Sequence, residues 1–105
     1  MVKERLTLES HVAVSDDVVS RELEAEAVIL NLESGTYFGL DPVGSRIWFL
    51  VQENGSLRRT FEVLHQEFDV APERLERDIL RLVDQLRATG LLRVAPSKES
   101  LPTRA

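Results

Sequence analysis

Between Glu24 and Leu40 the apolar positions change their period. Glu24 and Glu26 alternate with Ala25 and Ala27, as on a strand with one wet face, and then Val28, Ile29 and Leu30 fill both sides. Glu33-Ser34-Gly35 breaks the run with a glycine where a three-residue hairpin loop needs a positive φ, and Thr36 to Leu40 returns as the partner strand. Beyond Asp41 the spacing of two gives way to three and four. Asp41-Pro42 caps and opens a helix predicted over 42–53, stopped by Asn54-Gly55, with Val43, Ile47, Leu50 and Val51 inward and Trp48 on its flank. Ser56 caps a second helix with the stripe Leu57, Phe61, Leu64 and Phe68, and Pro72 opens a third that runs to about Thr89 and ends at Gly90. Upstream, His11 to Val14 is a further predicted strand, joined to the hairpin by a polar connection around Ser15 to Ser20.

Three strands followed by three helices, with a hairpin and a helix-turn-helix, predict an α+β, winged helix-turn-helix-like domain: a three-stranded antiparallel sheet followed by three helices. A chain of 105 residues supports one core and not two, so residues 1–94 are expected to form a single domain and 95–105, APSKESLPTRA, a disordered tail. The hairpin poses a problem for so small a domain. Its apolar residues occupy both faces, and whichever strand lies at the edge keeps unpaired amides. Such a flank invites an outside extended segment.

The third helix repeats the excess. At about 100° per residue, Leu75, Ile79, Leu82 and Leu86 fall within about 60°, and Val83 and Leu80 widen the apolar arc to about 160°. One neighbouring layer needs less than that. Arg74, Asp78, Arg81 and Gln85 form a polar margin beside the stripe, suited to fixing the register of a ligand.

Charge and chemistry then narrow the field. Residues 1–40 hold three bases against eight acids, whereas residues 41–105 hold ten of each. The acidity belongs to the strand half, and phosphate neutralisation has no basic surface to work with. Cysteine is absent, which excludes disulfides and thiolate metal sites. His11 and His65 lack an i,i+4 partner, so no metal and no cofactor is expected. No glycine-rich phosphate loop is present, and the carboxylates are better read as a solvated face than as an acid-base pair, so the chain is not expected to be an enzyme. The longest apolar run, Ile47 to Val51, is too short for a membrane span, and the N-terminus lacks the apolar core of a signal peptide; a cytoplasmic location is expected.

Asn31-Leu32 before the turn, Gly35 and Tyr37 after it, then Leu40, Gly44, Ile47 and Trp48, Asp78 in the third helix and the closing Gly90-Leu91-Leu92 follow one another over residues 24–93. This ordered set resembles the PqqD-like family of leader-peptide-binding domains, the RiPP recognition elements of ribosomal peptide biosynthesis. Ala71 stands where many relatives place an acidic cap before the helix proline. The resemblance implies that the leader of a precursor peptide binds as an added strand along the hairpin's last strand, in a cleft closed by the third helix. Thr36 to Gly39 would supply the pairing backbone. Val28, Leu30, Tyr37, Phe38, Leu75, Ile79 and Leu82 would line pockets, and Arg74, Asp78 and Arg81 would meet polar leader positions. The implied partners are the precursor leader and a separate processing enzyme: a leader peptidase of lasso-peptide biosynthesis, or a radical-SAM enzyme if the chain acts as a PqqD-type peptide chaperone. A monomer is expected.

Two other readings share the element order. A winged-helix DNA-binding protein would use the third helix as its reader, but that helix carries four arginines (Arg74, Arg77, Arg81, Arg87) against four acids (Glu73, Glu76, Asp78, Asp84) and has no net charge. A structural adaptor would dimerise through the open strand edge.

Overall fold

The computed structural model describes residues 6–95. Its elements are β1 (His11–Val14), β2 (Val18–Leu23), β3 (Glu26–Asn31), β4 (Tyr37–Leu40), α1 (Pro42–Asn54), α2 (Leu57–Glu67), α3 (Pro72–Ala88) and β5 (Leu92–Ala95). The class is the expected α+β, with a three-stranded antiparallel sheet in the order β2-β3-β4 and three helices.

The membership of that sheet differs from the expectation. β1 does not join it; it pairs with β5, from His11 opposite Ala95 to Val14 opposite Leu92. The third strand is instead β2, which covers part of the segment read as a polar connection. Leu23 and Glu26 close the β2–β3 hairpin across Glu24 and Ala25, with φ of 52° and 72°. Two central residues at positive φ make the kind of turn that matches strand twist, and it is formed here without the usual Asn-Gly. β5 follows from the end of α3, where Leu91 N–H donates to Leu86 C=O (2.9 Å) and Gly90 N–H to Arg87 C=O (3.1 Å). This Schellman pair turns the chain back, with Leu86 and Leu91 both buried beside it. Ala95 therefore ends a strand and is not part of a tail; residues 96–105, the rest of the predicted tail, and residues 1–5 lie outside the described residues.

The β3–β4 hairpin forms as its glycine suggests. Gly35, at φ 78°, donates to Asn31 C=O (2.8 Å) while Asn31 N–H donates to Thr36 C=O (2.9 Å), so two residues oppose one in a glycine bulge. The Asn31 carboxamide oxygen accepts from Glu33 N–H (2.9 Å) and Ser34 N–H (3.1 Å) and holds the loop.

Helix α1 sits close against this hairpin. Asp41 caps it, its Oδ1 accepting from Gly44 N–H at 2.7 Å. A Cβ on Gly44 would lie 3.1 Å from that oxygen and 3.3 Å from Leu40 Cδ2, so only glycine lets the first turn approach β4 this nearly. The buried Ser45 hydroxyl accepts from Ala27 N–H (2.7 Å) and donates to Leu40 C=O (3.3 Å), tying the helix to the β3–β4 pair. Ser45→Ala removes both bonds inside the core and is expected to cost about 1–3 kcal/mol in urea unfolding. The approach also rolls α1 away from the expected face. Trp48, read as a flank residue, is 1% exposed in the core, whereas Val43, read as core, is 47% exposed. Ile29, Leu57, Leu64, Ile79, Val83 and Leu86 complete the interior. On the surface Arg46 grips Glu67 with two hydrogen bonds, which join α1 to α2 and hold the Glu67 carboxyl below its ordinary range. A depressed carboxylate contributes above its unfolded pKa and is lost as pH falls through the folded value; a pair this exposed supplies under about 1 kcal/mol.

Candidate functional site

The hydrogen bonds at the hairpin ends fix which way each backbone group points. Asn31 donates to Thr36, so 31/36, 29/38 and 27/40 are the hydrogen-bonded pairs of the β3–β4 ladder, and Thr36, Phe38 and Leu40 turn their amides toward β3. Leu32 N–H donates to Asp17 C=O, which gives the even residues of β3 to β2 by the same alternation. The intervening residues of β4, Tyr37 and Gly39, therefore aim N–H and C=O away from the sheet. Among the described residues β4 has β3 on one side and no strand on the other.

On that side Gly39 lines a cleft. Its volume is about 340 Å³, and its walls are Phe38, Gly39 and Leu40 of β4, Val43, Gly44 and Ile47 of α1 with the cap Asp41, and Asp78, Arg81, Leu82 and Gln85 of α3. A second depression of about 310 Å³, lined by Thr36, Tyr37, Phe38, Ser34, Thr89 and Leu91, continues along the strand toward the far end of α3. Phe38 belongs to both. The α3 wall from Asp78 to Thr89, at about 1.5 Å per residue, is about 17 Å long. An extended chain at about 3.3 Å per residue covers that with about five residues.

The wall chemistry is mixed. Leu82, Phe38, Val43 and Ile47 make an apolar floor, and Asp78, Arg81 and Gln85 are exposed along the α3 rim. Among the described residues Arg81 has no carboxylate within 4.0 Å, while Asp78 stands 4.0 Å from Arg74. Nothing in this set has the geometry of a nucleophile with its base, and no cluster of three metal-ligating side chains occurs among the described residues. His65 stacks on Phe61 in α2, with ring centroids 5.4 Å apart, and His11 lies in β1.

The sequence-predicted residues separate into four places. Thr36, Tyr37, Phe38 and Gly39 form the edge, and Asp78, Arg81 and Leu82 the facing wall. Leu75 and Ile79 are in the core, turned from the cleft by one helical step. Val28 and Leu30 lie on the other face of the sheet, beside Val19 and Leu23, because β3 residues paired to Gly39 and Tyr37 share their outward side. Arg74, on the first turn of α3, is not among the cleft residues. The α1 contribution, Asp41, Val43, Gly44 and Ile47, is missing from the expectation. The proline-opened helix start immediately after β4 is the signal that places it there.

Residues 26–92, from β3 to the start of β5, match the model of the family described as coenzyme PQQ synthesis protein D (PqqD). The structure of TbiB1 in complex with the TbiA(beta) leader peptide is 38% identical, with a TM-score of 0.75 over 81% of this chain and 99% of that one. A lasso peptide synthetase B1 complexed with the leader peptide shares the fold at 23% identity, with a TM-score of 0.72 over 79% of this chain and 98% of that one. Among curated proteins no significant match was found. A family match that runs from the hairpin through all three helices, over the very elements that build the cleft, makes the chain a member of the PqqD family.

Proposed function

We propose that this chain binds the leader segment of a ribosomally synthesised precursor peptide as an added strand on β4, under α3, and delivers it to a separate processing enzyme. The observation that carries the reading is the outward aim of the Tyr37 and Gly39 backbone groups along a cleft and the depression that continues it, together long enough for about five extended residues. Main-chain pairing supplies affinity at little cost in sequence requirement. Alternate leader side chains then enter the Phe38, Val43 and Leu82 floor or meet Asp78, Arg81 and Gln85. The likeness to TbiB1, itself solved with a leader peptide, supports this role.

For the receiving enzyme we assign a leader peptidase of a lasso-peptide pathway, which accords with the fold shared with a lasso peptide synthetase B1. Membership of the PqqD family keeps a second setting, presentation of the peptide to a radical-SAM enzyme. The reading takes the chain as a cytoplasmic monomer without catalysis of its own. No described helix is long and apolar enough to cross a membrane.

The test is fluorescence-polarisation titration with the labelled leader of the precursor encoded beside this gene. Leu82→Asp places a charge in the apolar floor and is expected to weaken binding by about ten- to a hundredfold, the loss of one buried anchor. Its circular dichroism should match the parent. Unchanged affinity in the folded variant removes Leu82 from the site.

A further inference from the structure

Main-chain pairing alone does not set the register of a leader on β4. The hydrogen bonds that an added strand makes with Tyr37 and Gly39 are the same after any shift of two residues, and such a shift keeps every side chain on its own face. Side chains must therefore choose the register. The apolar floor of Phe38, Val43 and Leu82 accepts any apolar residue of suitable size, so it selects weakly. Charge selects better. Among the described residues, three charged side chains line the cleft: Asp41, Asp78 and Arg81. Asp41 Oδ1 accepts from the Gly44 N–H at 2.7 Å as the cap of α1. Asp78 has an arginine on either side of it along α3, Arg74 at i−4 and Arg81 at i+3, and it stands 4.0 Å from Arg74. Arg81 is the base that remains, exposed at the rim and with no carboxylate within 4.0 Å among the described residues.

We propose that Arg81 is the residue that sets leader register, by taking the carboxylate of a leader aspartate or glutamate two residues from the apolar side chain that fills the floor. This rests on the leader-binding reading. An added strand directs toward the helices the side chains that lie opposite Phe38 and Leu40, and these are two residues, about 6.6 Å, apart. Arg81 and Leu82 are neighbours on α3 and both line the cleft. With one leader side chain resting on Leu82, the next lies one step along the rim, within the span of a long guanidinium side chain. The planar fork of that group matches a carboxylate with two parallel hydrogen bonds, which a leader amide does not reproduce. A docked strand also shields the pair from water and strengthens it. A shift of two residues takes the carboxylate away from Arg81, and in one direction sets it against Asp78, where like charges repel.

The experiment titrates the labelled leader of the precursor encoded beside this gene by fluorescence polarisation, with each leader aspartate and glutamate replaced in turn by its amide. Against the parent, one replacement is expected to weaken binding about five- to tenfold, as for an ion pair at a partly covered rim, and the others by less than about twofold. Arg81→Gln should weaken the unaltered leader by the same factor and flatten the salt dependence. The critical amide should then change nothing further, so that the two losses do not add. Arg81→Glu should recover affinity when that leader residue becomes lysine. Arg77→Gln removes the same charge one turn away, outside the cleft, and should stay within about twofold of the parent. The proposal is overturned if the leader and Arg81 losses add in full or if no leader acid matters to the parent. It is overturned too if Arg77→Gln weakens binding as much as Arg81→Gln, since net charge alone would then be read. Gly39→Pro keeps this inference apart from the reading beneath it. Leader binding that Gly39→Pro abolishes, with no leader acid coupled to Arg81, leaves the added strand standing and removes the Arg81 assignment alone; a parent that does not bind leader removes both.

Discussion

Gly39→Pro is expected to abolish leader binding in a domain that still folds. The Gly39 N–H points out of the β3–β4 ladder, so proline at this edge position removes no bond of the sheet. Gly39 is not among the residues with positive φ, and a Cβ there meets nothing within 4 Å. The open space is the space claimed for the peptide. Proline removes a donor that the leader carbonyl needs and leaves that carbonyl buried without a partner, at about 1–3 kcal/mol. Its ring also stands where the added strand must lie. Together these predict at least a tenfold to hundredfold loss in fluorescence polarisation. Phe38→Pro is the contrast: its amide serves the ladder, so the expected result there is an unstable sheet. Parent-like affinity in folded Gly39→Pro would mean that the leader does not pair with this edge.

Trp48→Ala is expected to be the most damaging core substitution. The indole is 1% exposed and holds α1 against the sheet and the other helices. Removal of so large a buried side chain costs about 3–5 kcal/mol. A small domain has about 5–15 kcal/mol in all, so the variant should be marginal at room temperature and melt early by circular dichroism. Among the described residues Trp48 Nε1 has no hydrogen-bond partner, which makes Trp48→Phe far milder, since packing volume is nearly all that is lost. Equal losses in the two variants would show that the indole N–H matters after all.

What the sequence discloses and what it hides follow from different physics. Asp41-Pro42, Ser56, Pro72, Gly55 and Gly90 mark helix ends through backbone chemistry that is local, and every one of them stands at a helix terminus. Gly35 places the hairpin for the same reason. β2 is hidden because its turn, Glu24-Ala25, has no glycine and its exposed face carries the larger apolar side chains. The β1–β5 pair is hidden because it joins the two ends of the described chain, a contact that no local pattern reports.

The site shows the same division. The β4 edge and Leu82, Asp78 and Arg81 were legible from periodicity and from the family pattern. Val28 and Leu30 were not separable from Ile29, since a strand apolar on both sides does not say which side the helices cover. Leu75 and Ile79 were not separable from Leu82, since the broad arc of α3 serves core and cleft at once. The inward turn of Trp48 and outward turn of Val43 depend on Gly44 and Ser45 fitting against Ala27 and Leu40, a tertiary match invisible in one helix.

Residue-resolved amide hydrogen exchange, read by NMR with and without saturating leader, tests the central claim most directly. The account predicts that the Tyr37 and Gly39 amides, free in the empty domain, become strongly protected when leader is added, while Phe38 and Leu40 change little. Protection that falls instead on Val18, Ser20 and Glu22, at the opposite margin of the sheet, with Tyr37 and Gly39 still exchanging freely, would contradict it.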